Sequence, residues 1–284
     1  MELTLYKRKK RFPVGQTVMH LCLILWALTT IFPFIWVAVS SLKPSAEIVA
    51  SPFGIPAHAS AQNYLNALNR FNIPKAYLNS LILSGSVTIV VILFGSLAAY
   101  GIARYRFKGK SLLNMLLVAS MMFPAFSVII PVFRIIRNLN LIDNIFGVAL
   151  PQMGGNLSFA MIVLIGYIRS MSNEIEEAAF IEGCNVFQIF FRVVVPLIRP
   201  ALATVSIFTF VWSYNDLFTQ LFFLRNPQSF AITRLLNEFS VSQGVPDYGL
   251  LAAAIVMVVL PVLLVYVFLQ KNIIKGMTAG AVKG

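Results

Sequence analysis

The sequence predicts an all-α, polytopic membrane protein with six transmembrane helices, and three observations carry that prediction. The first is composition. Of 284 residues, 58% are hydrophobic and 11% are charged, against roughly 25% charged in a soluble domain. The second is six apolar segments of about 20 residues or more, the length that a hydrocarbon core of roughly 30 Å demands of a helix. The third is charge asymmetry. Fifteen of the 22 lysines and arginines fall on one set of alternate connecting segments and seven on the other. Basic residues gather in cytoplasmic segments, so both termini are expected in the cytoplasm and the whole chain forms one multi-pass unit of a cell membrane. The same rule accounts for the net charge of +12 without nucleic acid as a partner.

A basic run at residues 7–11 (KRKKR) precedes the first span, 17–42. That apolar stretch exceeds the roughly 7–15 residues of a secretory signal, and no small-residue cleavage site closes it. A retained span is expected, with a kink at Pro33. Residues 43–79 are polar and hold Pro44, Pro52, Pro56 and Pro74; within them 61–71 (AQNYLNALNRF) reads as a short helix outside the bilayer. The second span, 80–103, carries Gly95 and Ala99 one turn apart, a spacing that lets helices approach closely. The third, 112–136, contains Pro124 and Pro131. The fourth, 145–168, is expected to break at Pro151 and the Gly154–Gly155 pair. After an acidic loop at 170–200 come the fifth span, 201–224, a polar loop, 225–248, the sixth span, 250–269, and the tail KNIIKGMTAGAVKG.

The acidic loop organises the rest. It holds Glu174, Glu176, Glu177 and Glu182, four of the ten acidic residues in the chain. Asn173 and Glu176 are spaced as a capping box, and acidic residues in the first turn suit the helix dipole. Ala178 and Ala179 keep the surface small. Gly183 permits a turn that larger residues resist. Phe187, Phe190 and Phe191 form an apolar face, and Pro196 and Pro200 lead into the fifth span. The pattern is a short helix, a bend and a second helix.

This block resembles the EAA loop of permease subunits in ATP-binding-cassette importers. That pattern is Glu-Ala-Ala, three residues, Gly, nine residues, then an aliphatic-x-aliphatic-Pro ending. Here Glu177, Ala178 and Ala179 precede Gly183, and Val193 and Val195 precede Pro196. The tail at 276–284 (GMTAGAVKG) and the stretch at 33–44 (PFIWVAVSSLKP) resemble the second permease subunit of maltose-type carbohydrate importers. The resemblance implies a type I importer permease fold and a coupling helix seated in a cleft of a cytoplasmic ATPase dimer. Glu177 would pair with a basic residue of that cleft, and Gly183 would supply the bend. It also implies a second homologous permease and an extracytoplasmic solute-binding protein that meets the 225–248 loop. The chain itself would hold no cofactor, ATP and Mg being bound by the partner ATPase. The coupling block is expected to be continuous with the fifth span and to move it as a rigid lever.

The fifth span carries a polar stripe. Ser206, Thr209, Ser213, Asp216 and Gln220 follow one another at steps of three or four and share a helix face. Ionisable residues inside spans face bundle interiors or watery cavities. Hydroxyl, amide and carboxylate groups suit sugar hydroxyls, and Trp212 or Tyr214 would stack on a pyranose. Packing against a neighbouring helix through hydrogen bonds explains the same stripe equally well. Asn79, Ser80, Ser84, Gln152 and Asn156 are secondary candidates for the cavity.

Three other function classes compete. An importer for another solute, a polyol or a glycerophosphate compound, would look the same. An intramembrane enzyme needs a catalytic constellation, whereas the two histidines, His20 and His58, and the two cysteines, Cys22 and Cys184, are dispersed. A secondary transporter would show inverted repeats, and the two halves show no convincing one. The phosphate-loop scrap Gly109-Lys110-Ser111 has Arg104 where the first glycine belongs, so ATP hydrolysis is assigned to a separate chain.

Overall fold

The computed structural model describes residues 14–241 and 247–281. The basic run at 7–11, Gly244 and the last three residues of the tail lie outside the described residues. Among the described residues every regular element is helical. In chain order these are α1 (Val14–Ser40), α2 (Ser45–Ala50), α3 (Gln62–Arg70), α4 (Ile73–Arg104), α5 (Lys110–Met122), α6 (Ala125–Asn138), α7 (Ile145–Arg169), α8 (Glu174–Ile181), α9 (Val186–Ile189), a π-helical turn (Phe190–Val194) and α10 (Val195–Leu197). Then follow α11 (Arg199–Asn215), α12 (Leu217–Phe223), a 3-10 turn (Pro227–Ser229), α13 (Ile232–Val241) and α14 (Tyr248–Ala281).

The helices α1, α4 and α7 are each long and apolar enough to cross a membrane, and two bent pairs raise that number to five. The apolar part of α14, Tyr248–Leu264, is shorter. Four sequence expectations are corrected here. The second span starts at Ile73, not residue 80, because Asn72 caps the helix by accepting from the Lys75 N–H and Pro74 occupies the first turn, where its missing donor costs nothing. The third span is two helices. Phe123 is held extended before Pro124, and the pieces meet at 102°. The fourth span is unbroken: α7 runs through Pro151 and both glycines. The polar loop at 225–248 contains a helix, α13, whose Ile232 and Leu235 are buried.

The chain packs as two units. The first holds α1, α2, α3 as far as Ala67, and α14 as far as Met257. Asn63 Nδ2 donates to the carbonyls of Ser41 and Lys43 at 2.9 and 2.8 Å. Asp247 caps α14 through the Leu250 N–H and receives the Ser45 hydroxyl. Lys43 is buried with its ammonium turned onto the carbonyls of Ser51 and Gly54.

The second unit is built on α4, which packs chiefly on α7 and α11. Leu83, Val87, Val91 and Ala99 are buried on α4, as are Ala160, Leu164 and Ile168 on α7 and Val205 on α11. A Cβ on Gly95 would stand 3.3 Å from the Ala160 Cβ. Removing that atom is what lets the two helices close, since in lipid their association depends on packing rather than on water exclusion.

Candidate functional site

The acidic block forms α8, a bend, α9, the π-helical turn and α10. Gly183 makes the bend at φ +88°. The reciprocal capping box stands at Asn185 and Gln188, each side chain bonding the other's backbone N–H at 2.8–2.9 Å. The sequence spacing predicts one at Asn173 and Glu176 instead. Asn173 is in helical conformation with no cap bond of its own, because its side-chain oxygen accepts from Arg104.

That arginine reorganises the block. Arg104, the last residue of α4, donates from Nε to Glu176 Oε1 at 2.6 Å, from Nη1 to Asn173 Oδ1 at 2.6 Å, and from Nη2 to the Met171 carbonyl at 3.3 Å. The Tyr100 hydroxyl, one turn earlier, donates to Glu176 Oε2 at 3.0 Å. The Arg104 and Glu176 side chains are each 12% exposed. Glu174, Glu177 and Glu182 are exposed, and Ala178 lies beside Glu177 on the surface while Ala179 is buried. Pro196 follows the π-helical turn, within which the Val195 N–H reaches the Phe190 carbonyl. The block is not continuous with α11. Ile198 leaves helical geometry, and the segments on either side of it meet at 77°.

The fifth span is also two helices. Asp216 interrupts it, ending α11 and capping α12 by accepting the Thr219 N–H at 3.0 Å. Its other oxygen accepts from Gln152 Nε2 at 2.8 Å, and Gln152 Oε1 accepts the Ser213 hydroxyl at 2.6 Å. The glutamine thus ties α7 to both sides of the break. These three residues sit in the wall of a cavity of about 820 Å³ bounded by α5, α6, α7, α11 and α12. Asn156, Phe159 and Trp212 share the wall, with the Phe159 and Trp212 rings edge to face at 4.7 Å. The lining holds one carboxylate, Asp216, and no basic side chain.

The predicted stripe therefore divides. Ser213 and Asp216 reach the cavity, as does Trp212. Ser206, Thr209, Tyr214 and Gln220 do not. Thr209 is buried in packing. The Tyr214 backbone carbonyl receives the Thr233 hydroxyl. Gln220 is buried facing α13, where it accepts the Arg234 N–H at 3.2 Å. Of the secondary candidates, Gln152 and Asn156 line the cavity. Asn79 and Ser80 instead bond the backbone of Phe230 and Ile232, and Ser84 is buried. Phe159 is not among the sequence candidates, although it falls seven residues after Gln152 and three after Asn156 and so shares their helix face.

The family of binding-protein-dependent transport system inner membrane components matches residues 91–279, more than half of the chain. This protein belongs to that family. The permease is 37% identical to the diacetylchitobiose uptake system permease protein NgcG of Streptomyces coelicolor, across 93% of this chain and 87% of that one. It is 30% identical to the arabinooligosaccharides transport system permease protein AraQ of Bacillus subtilis, across 98% and 99% of the two chains. Its fold matches, at a TM-score of 0.79 and 26% identity, a chain of a bacterial ABC transporter involved in the import of the acidic polysaccharide alginate, covering 95% of this chain and 99% of that one. The matched region of the permease contains Arg104, the acidic block and the whole cavity wall, so the site belongs to the part of the chain that defines a membrane transport component.

Proposed function

We propose that this permease forms one half of the transmembrane pathway of an ATP-binding-cassette importer whose solute is an uncharged sugar or oligosaccharide. The observation that carries the reading is the cavity. Trp212 and Phe159 offer aromatic faces, while Gln152, Asn156, Ser213 and Asp216 offer the donors and acceptors that sugar hydroxyls require. A lone carboxylate with no basic neighbour in the wall repels an acidic sugar. Two relatives named for oligosaccharide uptake support the class.

ATP hydrolysis is supplied by separate ATPase chains that bind ATP and Mg. They dock on the cytoplasmic side against Glu177, Ala178 and the Gly183 bend. A second, homologous permease closes the pathway, and a solute-binding protein delivers the sugar at the loop that carries α13. The permease itself contributes binding and movement rather than catalysis.

The test is reconstitution of the complex with its co-purifying chains in proteoliposomes, followed by ATP-dependent uptake of labelled solutes. Neutral oligosaccharides are expected to accumulate and uronate oligosaccharides to be excluded. Uptake of a polyol or a glycerophosphate compound in their place overturns the carbohydrate assignment.

A further inference from the structure

We propose that Arg104 and Glu176 form a standing latch that makes α4, rather than α11, the arm by which the acidic block moves the cavity wall. The proposal rests on the reading of the chain as an ATP-driven permease. Its basis is where the two possible connections run. The covalent one, from α10 to α11, passes through Ile198 and a bend of 77°. A push along one segment is largely lost sideways at such a joint. The side-chain connection is direct and broad. One guanidinium donates to acceptors on Met171, Asn173 and Glu176, which follow one another along the start of the block. Tyr100 fills the remaining carboxylate oxygen, and its ring packs 5.3 Å from Phe190 in the π-helical turn. The last turn of α4 therefore grips the block at its start and again at the π-helical turn.

The grip is shielded, each partner of the ion pair being 12% exposed. Charge-assisted, forked hydrogen bonds of this kind hold direction as well as distance. Beyond the grip, α4 is a single helix of 32 residues whose close approach to α7 at Gly95 and Ala160 leads to the element bearing Gln152, Asn156 and Phe159. Successive helical residues point about 100° apart. Glu176 is thereby turned onto its own chain while Glu177 is left facing outward. Adjacent glutamates divide the work: Glu177 faces the partner and Glu176 positions the block.

The experiment uses the complete importer in proteoliposomes and reads sugar delivered per ATP hydrolysed. Glu176→Gln and Arg104→Gln are each expected to lower that ratio about fivefold or more, a shift in the range of ordinary coupling between sites. Arg104→Lys keeps the charge but cannot reach three acceptors in a fork, and falls with them. The exchanged pair Arg104→Glu with Glu176→Arg restores the ion pair but not the donors to Asn173 and Met171, and is expected to recover the ratio only in part while still exceeding both single variants, as a direct interaction requires. A ratio within about twofold of wild type in both Gln variants overturns the latch. If either fails to assemble, Tyr100→Phe, which removes a single hydroxyl, is judged by the same ratio. A wild-type complex that delivers no sugar condemns the functional reading, whereas a coupled wild type with coupled variants condemns only the latch.

Discussion

Gly183 has open space where a Cβ would project, with nothing within 4 Å, yet its φ is +88°. The demand for glycine is therefore conformational and not steric. A side chain there costs about 1–2 kcal/mol in the left-handed region. Gly183→Val is expected to lower the melting temperature of the purified complex and its sugar-to-ATP ratio, with Gly183→Asn, which tolerates that region better, in between. At Asp216, removal of the carboxylate takes away the cap on α12, worth about 1 kcal/mol, and one polar contact in the cavity. Asp216→Ala is expected to slow uptake by about tenfold. Asp216→Asn retains the cap, so the difference between the two variants separates helix anchoring from sugar contact. This residue also shows the limit of periodicity. Its position was legible in the polar stripe, but a stripe keeps its phase only while the helix continues. The break at Asp216 turned Gln220 away from the cavity and onto α13.

At the scale of elements, the segment from the 3-10 turn through α13 is strapped to the start of α4. Asn79 Nδ2 donates to the Phe230 carbonyl at 2.9 Å and to the Gln228 carbonyl at 3.4 Å, and Ser80 accepts the Ile232 N–H at 2.8 Å. Asn79→Ala strips these acceptors of their donor at a cost of about 1–3 kcal/mol. Amide hydrogen exchange over residues 228–241 is expected to accelerate by about tenfold or more, with α7 unaffected. Prolines show why helix boundaries were only partly readable. Pro124 and Pro151 look alike in sequence, yet one ends a helix and the other sits inside one. Within a bundle, neighbouring helices and local adjustment absorb the missing bond, as around Pro151. At Pro124 the exposed Phe123 before it has gone extended. The amphipathic pattern of α13, with Ile232, Leu235 and Phe239 at steps of three and four, is legible on its own but is masked by the polar composition of the segment around it.

At the scale of the whole molecule, charge asymmetry and the EAA spacing predict an orientation and a docking face, which no single helix can supply. The native cysteines test the orientation. Cys184 is half-buried beside the Gly183 bend and Cys22 lies on the apolar α1. A membrane-impermeant maleimide is expected to label Cys184 in inside-out vesicles and to spare it in right-side-out vesicles, because the excess of basic residues predicts a cytoplasmic location for that face. Glu177→Arg reverses an exposed charge without touching the Arg104 cluster. It is expected to reduce co-purification of the ATPase by about tenfold or more while the permease still inserts and pairs with its homologue.

The π-helical turn at Phe190–Val194 also sets the direction in which the acidic block points. A wide turn accommodates one residue more than an α-helical path would, and one residue corresponds to about 100° of rotation about the helix axis. The nine residues between Gly183 and the Val193-x-Val195-Pro196 ending are thus an angular setting as well as a length. Deleting one of them would leave Glu177, Ala178 and Gly183 intact and chemically unchanged, yet aim them at a different compass bearing from α11. The motif is a dial whose reading is kept by counting residues, and its letters alone would not preserve it.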